Sequence, residues 1–169
     1  MFMKKIFFLL FLLLFTCSAY SQQLQNTILG CKYGSSREDV IFVINKQGFE
    51  YIDHGTKIEL KSPIWGGISF DYGYFFFHLN KMYMCQFSVD FYSEKSALST
   101  YTYLKNKLTN KYGYVKDTYH DGAKMTLYDD NINTIRLDQV EFDFNNKSFY
   151  GVNMVYCNWS ILKEVTNEI

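Results

Sequence analysis

Two stretches of the chain carry apolar residues at the spacing of an amphipathic helix. The first follows Ser36, a residue type that caps helix starts, has Asp39 three residues later, and ends at Gly48. The second follows Ser93 and ends at Gly113. We expect both helices to bury their apolar positions. These are Val40, Ile41, Val43 and Ile44 in the first helix and Ala97, Tyr101, Leu104 and Leu108 in the second.

In the sequence that follows each predicted helix, apolar residues occupy every second position, which is the spacing typical of a half-buried strand. The turns Asn80-Lys81 and Asn145-Asn146-Lys147 each predict an antiparallel hairpin with one dry face. The predicted inward residues are Phe75, Phe77, Leu79, Tyr83, Cys85, Phe87, Val89 and Phe91 in the first hairpin and Val140, Phe142, Phe144, Tyr150, Val152, Met154 and Tyr156 in the second. Shorter strands are predicted around 49–52, 56–60, 67–70, 114–119, 123–128 and 134–137.

The two halves match each other at a constant spacing of 67 residues, without a gap. Gly55 returns as Gly122, for example, and Phe75 returns as Phe142. Such self-similarity is typical of a chain that repeats one supersecondary unit. We therefore predict an α+β fold that is a tandem duplication of a helix followed by an antiparallel meander of about four strands.

The first 21 residues have the three-part pattern of a secretory signal peptide. Lys4-Lys5 precedes an apolar run over 6–15, and small residues, among them Ala19, lead to a cut before Gln22. The run is shorter than the roughly 18–20 residues that a transmembrane helix needs. The pattern predicts cleavage and a periplasmic or secreted product without an integral membrane segment. The alternative is a lipoprotein signal in which Cys17 is acylated and anchors the chain.

The remaining chain, 22–169, has the length of a single domain. We predict repeat 1 over about 34–92, repeat 2 over about 93–158 and a short tail over 159–169. The whole sequence carries 17 basic and 17 acidic residues, and loss of the leader makes it slightly acidic. Nucleic-acid binding requires a basic footprint, so that class of function is excluded.

Three cysteines remain after cleavage, namely Cys31, Cys85 and Cys157. Their spacing matches no zinc or redox motif, and an odd number allows at most one internal disulfide. The pairing among the three stays open. The alternative is that they are buried thiols that act as small apolar residues.

The sequence contains no common catalytic, phosphate-binding or metal-binding motif, and we predict neither a metal nor another cofactor. His54 follows Asp53, and His120 precedes Asp121, each pair standing just before a glycine. Such pairs are compatible with acid–base catalysis in a small secreted hydrolase. We favour the alternative that both pairs belong to hairpin turns, which favour Asp and Gly.

One set of aromatic residues occupies outward positions in or beside the first hairpin. Tyr and Trp are frequent on binding surfaces because they combine a rigid apolar ring with a polar group. The set is a candidate binding face, unless a helix or the other repeat covers it. Its members are Trp65, Tyr72, Tyr74, Phe76 and His78, where the second half has Gln139, Glu141, Asp143 and Asn145.

The segment Tyr33-Gly34-Ser35-Ser36-Arg37-Glu38-Asp39-Val40 resembles the helix start of the β-lactamase-inhibitor-protein-like repeat fold. The order of helix and meander over most of 30–157 resembles the same fold, which occurs in small exported envelope proteins. The resemblance implies a binding or inhibitory module that presents a concave sheet. The cysteine pattern differs from that of the inhibitor, so no partner or contact residue follows from it.

These observations predict an exported, non-enzymatic module that binds or inhibits an unknown protein partner in the cell envelope. A structural or assembly factor of the envelope, tethered through Cys17, is the second hypothesis. A hydrolase that uses His54 or His120 is the third.

Overall fold

The computed structural model describes residues 24–113, 116–120, 123–145 and 147–166. The predicted signal peptide and its Cys17 lie outside these residues. The helices are α1 (Arg37–Lys46), α2 (Glu94–Tyr112) and α3 (Trp159–Thr166). The strands are β1 (Thr27–Ile28), β2 (Cys31–Lys32), β3 (Tyr51–Asp53), β4 (Lys57–Lys61), β5 (Ile64–Trp65), β6 (Ile68–Ser69), β7 (Tyr72–His78), β8 (Lys81–Phe91), β9 (Lys116–His120), β10 (Ala123–Asp129), β11 (Asn133–Phe144) and β12 (Lys147–Asn158).

Eight of these strands form one antiparallel sheet in the order β3-β4-β7-β8-β12-β11-β10-β9. The pairs β1-β2 and β5-β6 are separate two-stranded sheets. Helices α1 and α2 pack on one face of the large sheet and form one core with it. The predicted residues of α2 are buried, and so are Val40 and Ile44 of α1, whereas Ile41 and Val43 are half-buried. One row of that face crosses six strands and consists of Ile58, Phe75, Cys85, Tyr156, Ile135 and Tyr128.

The predicted fold class is wrong. The described residues are mostly β, with 51% in strands and 26% in helices, and they form one eight-stranded antiparallel sheet and three helices rather than a tandem helix-plus-meander plan. Strands β8 and β12 pair with each other, from Phe91 opposite Tyr150 to Met84 opposite Cys157. Neither strand is therefore an exposed edge of the sheet. The predicted tail contains helix α3, and the strand predicted at 134–137 is part of the longer β11.

The gap-free match between the halves does not correspond to the register of the sheet. Ile58 is buried, whereas Met125, its counterpart 67 residues on, is only half-buried and the neighbouring Thr126 is buried instead. Phe75 is buried, but Phe142 is exposed. A slip of one residue moves every side chain of a strand to the opposite face. The sequence match therefore misplaces the core of the second half.

The predicted inward set is largely correct for β7, β8 and β12 and wrong for β11. Leu79 is exposed because it lies in the hairpin turn. Phe142 and Phe144 are exposed because they lie on the face of β11 that also carries Arg136 and Asp138, away from the helices. A register shift between Phe76 and Phe77 accompanies the wrong prediction for Tyr83, which is half-buried. Val140, Tyr150 and Phe91 are also half-buried, and the buried members are Phe75, Phe77, Cys85, Phe87, Val89, Val152, Met154 and Tyr156.

The predicted helix boundaries are confirmed. The Ser36 hydroxyl accepts a hydrogen bond from the Asp39 backbone N–H at 3.1 Å and donates one to the Asp39 carboxylate at 2.9 Å. Gly48 and Gly113 have φ of +76° and +80°, a backbone conformation that glycine adopts without strain. Ser93 occupies the cap position of α2 but makes no capping hydrogen bond through its side chain.

We expect Ser36→Ala to lower the free energy of unfolding by about 1 kcal/mol, because it leaves a helix N–H without a partner. Urea denaturation measures the difference. Ser35→Ala, one residue earlier and outside the cap, serves as the control. Equal losses in the two variants would show that the cap has no special role.

The three cysteines are free thiols in this structure. Cys31 and Cys85 are buried, and burial raises the pKa of Cys31 to about 12 and that of Cys85 well above its ordinary value. Cys157 is half-buried, and its pKa is raised to about 11 by the same cause. Such thiols are poor nucleophiles, since only the thiolate reacts readily.

Candidate binding face

The sheet surface opposite the helices, here called the open face, carries mostly half-buried and exposed side chains, together with the buried Asp138 and Val155. Cross-strand pairing places residues of neighbouring strands side by side on it. One row across this face consists of Lys61, Tyr72, Ser88, Asn153, Asp138 and Met125. The next row consists of Glu59, Tyr74, Gln86, Val155, Arg136 and Leu127. Aromatic residues thus lie on one side of the open face, and a mixed polar and apolar group lies on the other.

Three aromatic residues of β7 form a continuous surface that we call the aromatic strip: Tyr72, Tyr74 and Phe76. The Tyr72 and Tyr74 rings are stacked with centroids 6.3 Å apart, and the Tyr74 and Phe76 centroids are 6.1 Å apart. Tyr72 is 45% exposed, and the other two are half-buried. The strip follows from the alternation of β7, whose other residues, Gly73, Phe75 and Phe77, point into the core.

Charged side chains of β4 border the aromatic strip on one side. The Lys57 ammonium lies 4.7 Å from the centroid of the Tyr74 ring, which is a cation–π distance. Glu59 is the cross-strand neighbour of Tyr74. Partial burial raises the pKa of Tyr74, and the negative charge of Glu59 adds to this effect. The strip therefore combines apolar rings with neutral hydroxyls and a charged border, as binding surfaces do.

The other two predicted members lie apart from the strip. Trp65, in β5, packs edge-on against core residue Tyr156 with centroids 5.9 Å apart, so it is part of the packing rather than of the open face. His78 is half-buried at the end of β7, beyond the register shift, and pairs across the turn with Lys81. The structure brings together three of the five predicted residues.

A second aromatic cluster, which includes the predicted core residues Phe142 and Phe144, lies where the β11–β12 hairpin extends beyond β8. Phe149 is its centre, with ring centroids 5.0 Å from Tyr92, 5.7 Å from Phe142 and 6.5 Å from Phe144. Phe144 is 62% exposed. Phe142 and Phe144 share one face of β11, as the alternation predicts, but that face is the open face rather than the core side.

The first histidine pair, Asp53 and His54, lies at the β3–β4 hairpin. His54 Nε2 lies 3.1 Å from a Glu59 carboxylate oxygen, and the His54 side chain is exposed at the β3–β4 hairpin. Its neighbour Asp53 accepts hydrogen bonds from Arg37 and from the Gly55 N–H, which is the role of an aspartate in a turn. These contacts stabilise the hairpin.

For the second pair, the backbone of His120 ends β9, while its side chain and Asp121 lie outside the described residues.

A shallow depression of about 240 Å³ lies on the open face near the β9 edge. Its walls include Ala123, Met125 and Val140, and Arg136 and Asp138 contribute the charges. Asp138 is only 7% exposed. One of its oxygens accepts a hydrogen bond from Arg136 Nε at 2.9 Å, while Oδ1 is buried without a hydrogen-bond partner among the described residues. Burial raises the pKa of Asp138, and the nearby Arg136 opposes the shift only in part.

Asp138→Asn is expected to raise the stability of the protein at neutral pH but not in acid. Because the folded-state pKa of Asp138 is raised, the folded chain holds this proton more tightly than the unfolded chain. The wild type therefore loses stability as the pH rises from about 4, the ordinary aspartate pKa, through the folded pKa, whereas the variant does not. Urea denaturation from acid to neutral pH measures the difference, and parallel pH profiles would contradict it.

In the described part of the chain, no group of three or more histidine, cysteine, aspartate or glutamate side chains is placed to hold a metal ion. None of the described helices is both long enough and apolar enough to cross a membrane. Comparison of the chain with protein-family models, with curated proteins and with solved structures finds no match.

Proposed function

We propose that this protein is an exported, non-enzymatic module whose open face binds a protein partner in the cell envelope. The observation that carries the proposal is the aromatic strip, three contiguous rings that remain partly exposed on a sheet surface. Soluble proteins rarely expose contiguous apolar patches without an interaction that uses them. Tyrosine is also among the residues that contribute most to protein interfaces.

Two sequence features support the location and the class of the module. The predicted leader over residues 1–21 directs the chain to export. The resemblance of Tyr33–Val40 to the β-lactamase-inhibitor-protein-like repeat implies a binding or inhibitory role for a sheet surface. An inhibitory role requires that the partner loses activity on binding, and an assembly role requires that it does not.

Affinity capture with matched variants tests the proposal. The wild-type protein, Tyr74→Thr on the open face and Phe42→Gln on the opposite, helical side are immobilised and exposed to envelope extract of the source cell. Phe42 is 69% exposed, so its replacement should not disturb the fold. We expect one protein to bind the wild type and Phe42→Gln but not Tyr74→Thr. Equal capture by all three, or specific capture by none, would refute the proposal.

Mass spectrometry of the purified protein separates the free module from the tethered assembly factor. A chain that begins at Gln22 indicates simple cleavage. A chain that begins at an acylated Cys17 indicates a lipid anchor.

A further inference from the structure

The depression on the open face combines an unsatisfied acceptor with an available donor. The Arg136–Asp138 hydrogen bond uses Nε of the guanidinium and one oxygen of the carboxylate. Asp138 Oδ1 lies buried without a partner in the described chain, while the Arg136 side chain is 49% exposed. A buried acceptor without a hydrogen bond costs stability, so a ligand N–H that donates to this oxygen removes a penalty.

The charges at the depression restrict the kind of ligand. The carboxylate and the guanidinium nearly balance each other, so neither an isolated cation nor an isolated anion gains a net attraction there. A neutral group that offers an N–H to Oδ1 and a carbonyl oxygen to the guanidinium satisfies both residues. Ala123, Met125 and Val140 supply an apolar wall for the carbon atoms next to such a group.

The amide group has this combination of donor and acceptor within one planar unit. We propose that the depression binds an amide of the protein partner, as in a glutamine or asparagine side chain, with its N–H donating to Asp138 Oδ1 and its carbonyl accepting from Arg136. The volume of about 240 Å³ suits a single side chain rather than a larger ligand. The proposed function supplies the protein partner that carries this amide, so the inference rests on it.

The position of the depression fits a role beside the aromatic strip. Arg136 and Tyr74 lie in the same cross-strand row, separated by β8 and β12. At about 4.8 Å per strand, the distance between them along the sheet is roughly 14 Å. One partner surface of ordinary size spans this distance, so the strip supplies apolar area and the depression supplies a directional contact.

Small probes test the site in the absence of any partner. Butyramide, butyrate and butylammonium have the same carbon chain and differ in the polar group. In NMR titrations of the full protein, we expect butyramide to shift the Arg136 Nε–H and Asp138 signals more strongly than either charged probe. Equal or stronger binding of butyrate or butylammonium would overturn the assignment, and so would the absence of butyramide binding.

Two variants keep the test decisive. Asp138→Leu removes the acceptor with little change in volume, and we expect it to weaken butyramide binding about tenfold while raising the melting temperature. Arg136→Met, at a more exposed position, should weaken binding without that stabilisation. If butyramide binds both variants as it binds the wild type, the site is wrong. If butyramide does not bind but affinity capture still depends on Tyr74, only the amide site is wrong. If butyramide binds but affinity capture does not depend on Tyr74, only the proposed function is wrong.

Discussion

Replacing Phe87 with alanine is expected to lower the free energy of unfolding by about 3–5 kcal/mol. Phe87 is completely buried in central strand β8, and its ring centroid lies 5.4 Å from that of Phe70. Across the strand it faces Gly73, where an added Cβ would come within 3.1 Å of the Phe87 ring. Because glycine has no side chain to fill the space, the cavity left by the ring cannot easily collapse. Urea denaturation followed by tryptophan fluorescence measures the loss.

Phe42→Ala is the matched control for this variant. It removes the same ring from a position that is 69% exposed, so we expect a change within about 0.5 kcal/mol. A typical domain has only about 5–15 kcal/mol of stability, so the core variant should be easy to distinguish. A Phe87→Ala loss as small as that of the control would place the centre of the core elsewhere.

Simultaneous replacement of Tyr72, Tyr74 and Phe76 with threonine is expected to raise the dissociation constant for the captured partner at least about a hundredfold. Central aromatic residues of interfaces each contribute about 2 kcal/mol or more, and 1.4 kcal/mol corresponds to a tenfold change. Threonine suits a strand, so the sheet should persist. Isothermal titration calorimetry measures the affinity, and circular dichroism confirms the fold.

The control for the strip variant is the same change at the hairpin cluster, namely Phe142→Thr, Phe144→Thr and Phe149→Thr. It removes the same number of rings from a second exposed aromatic surface. We expect its affinity to remain within a few-fold of the wild type. If the hairpin variant loses binding and the strip variant keeps it, the binding surface lies at the β11–β12 hairpin.

Local features of the fold are predictable from the sequence because local chemistry determines them. Ser36 has a short side chain that reaches the Asp39 N–H, and Gly48 accepts the left-handed conformation that ends a helix. The alternation in β7 likewise places Tyr72, Tyr74 and Phe76 on one face whatever the strand pairs with. These parts of the prediction depend only on neighbouring residues.

The continuous sheet could not be predicted in this way, because it depends on the pairing of β8 with β12. Alternation tells which residues of a strand share a face but not which strand lies beside it. The match of Phe75 with Phe142 was misleading for the same reason, since similar residues at equal spacing occupy opposite environments here. Trp65 and Tyr72 are close in sequence, yet β5 belongs to a separate small sheet and carries Trp65 to the core.

The depression could not be predicted from the sequence because its residues come from two strands. In the sequence, Asp138 directly follows the strand predicted at 134–137. In the structure it lies within β11, where Met125 of β10 is its cross-strand neighbour. Burial of a carboxylate in a strand is a property of the assembled sheet, so it cannot be predicted from the residues that neighbour it in the sequence.

Photo-crosslinking most directly tests the central claim that the open face binds a protein partner. A benzophenone amino acid replaces Tyr74 on the open face in one variant and Phe42 on the helical side in another, and both are irradiated in intact source cells. The account predicts one discrete crosslinked protein from position 74 and none of that protein from position 42. Crosslinking of that protein from position 42, with none from position 74, would contradict it.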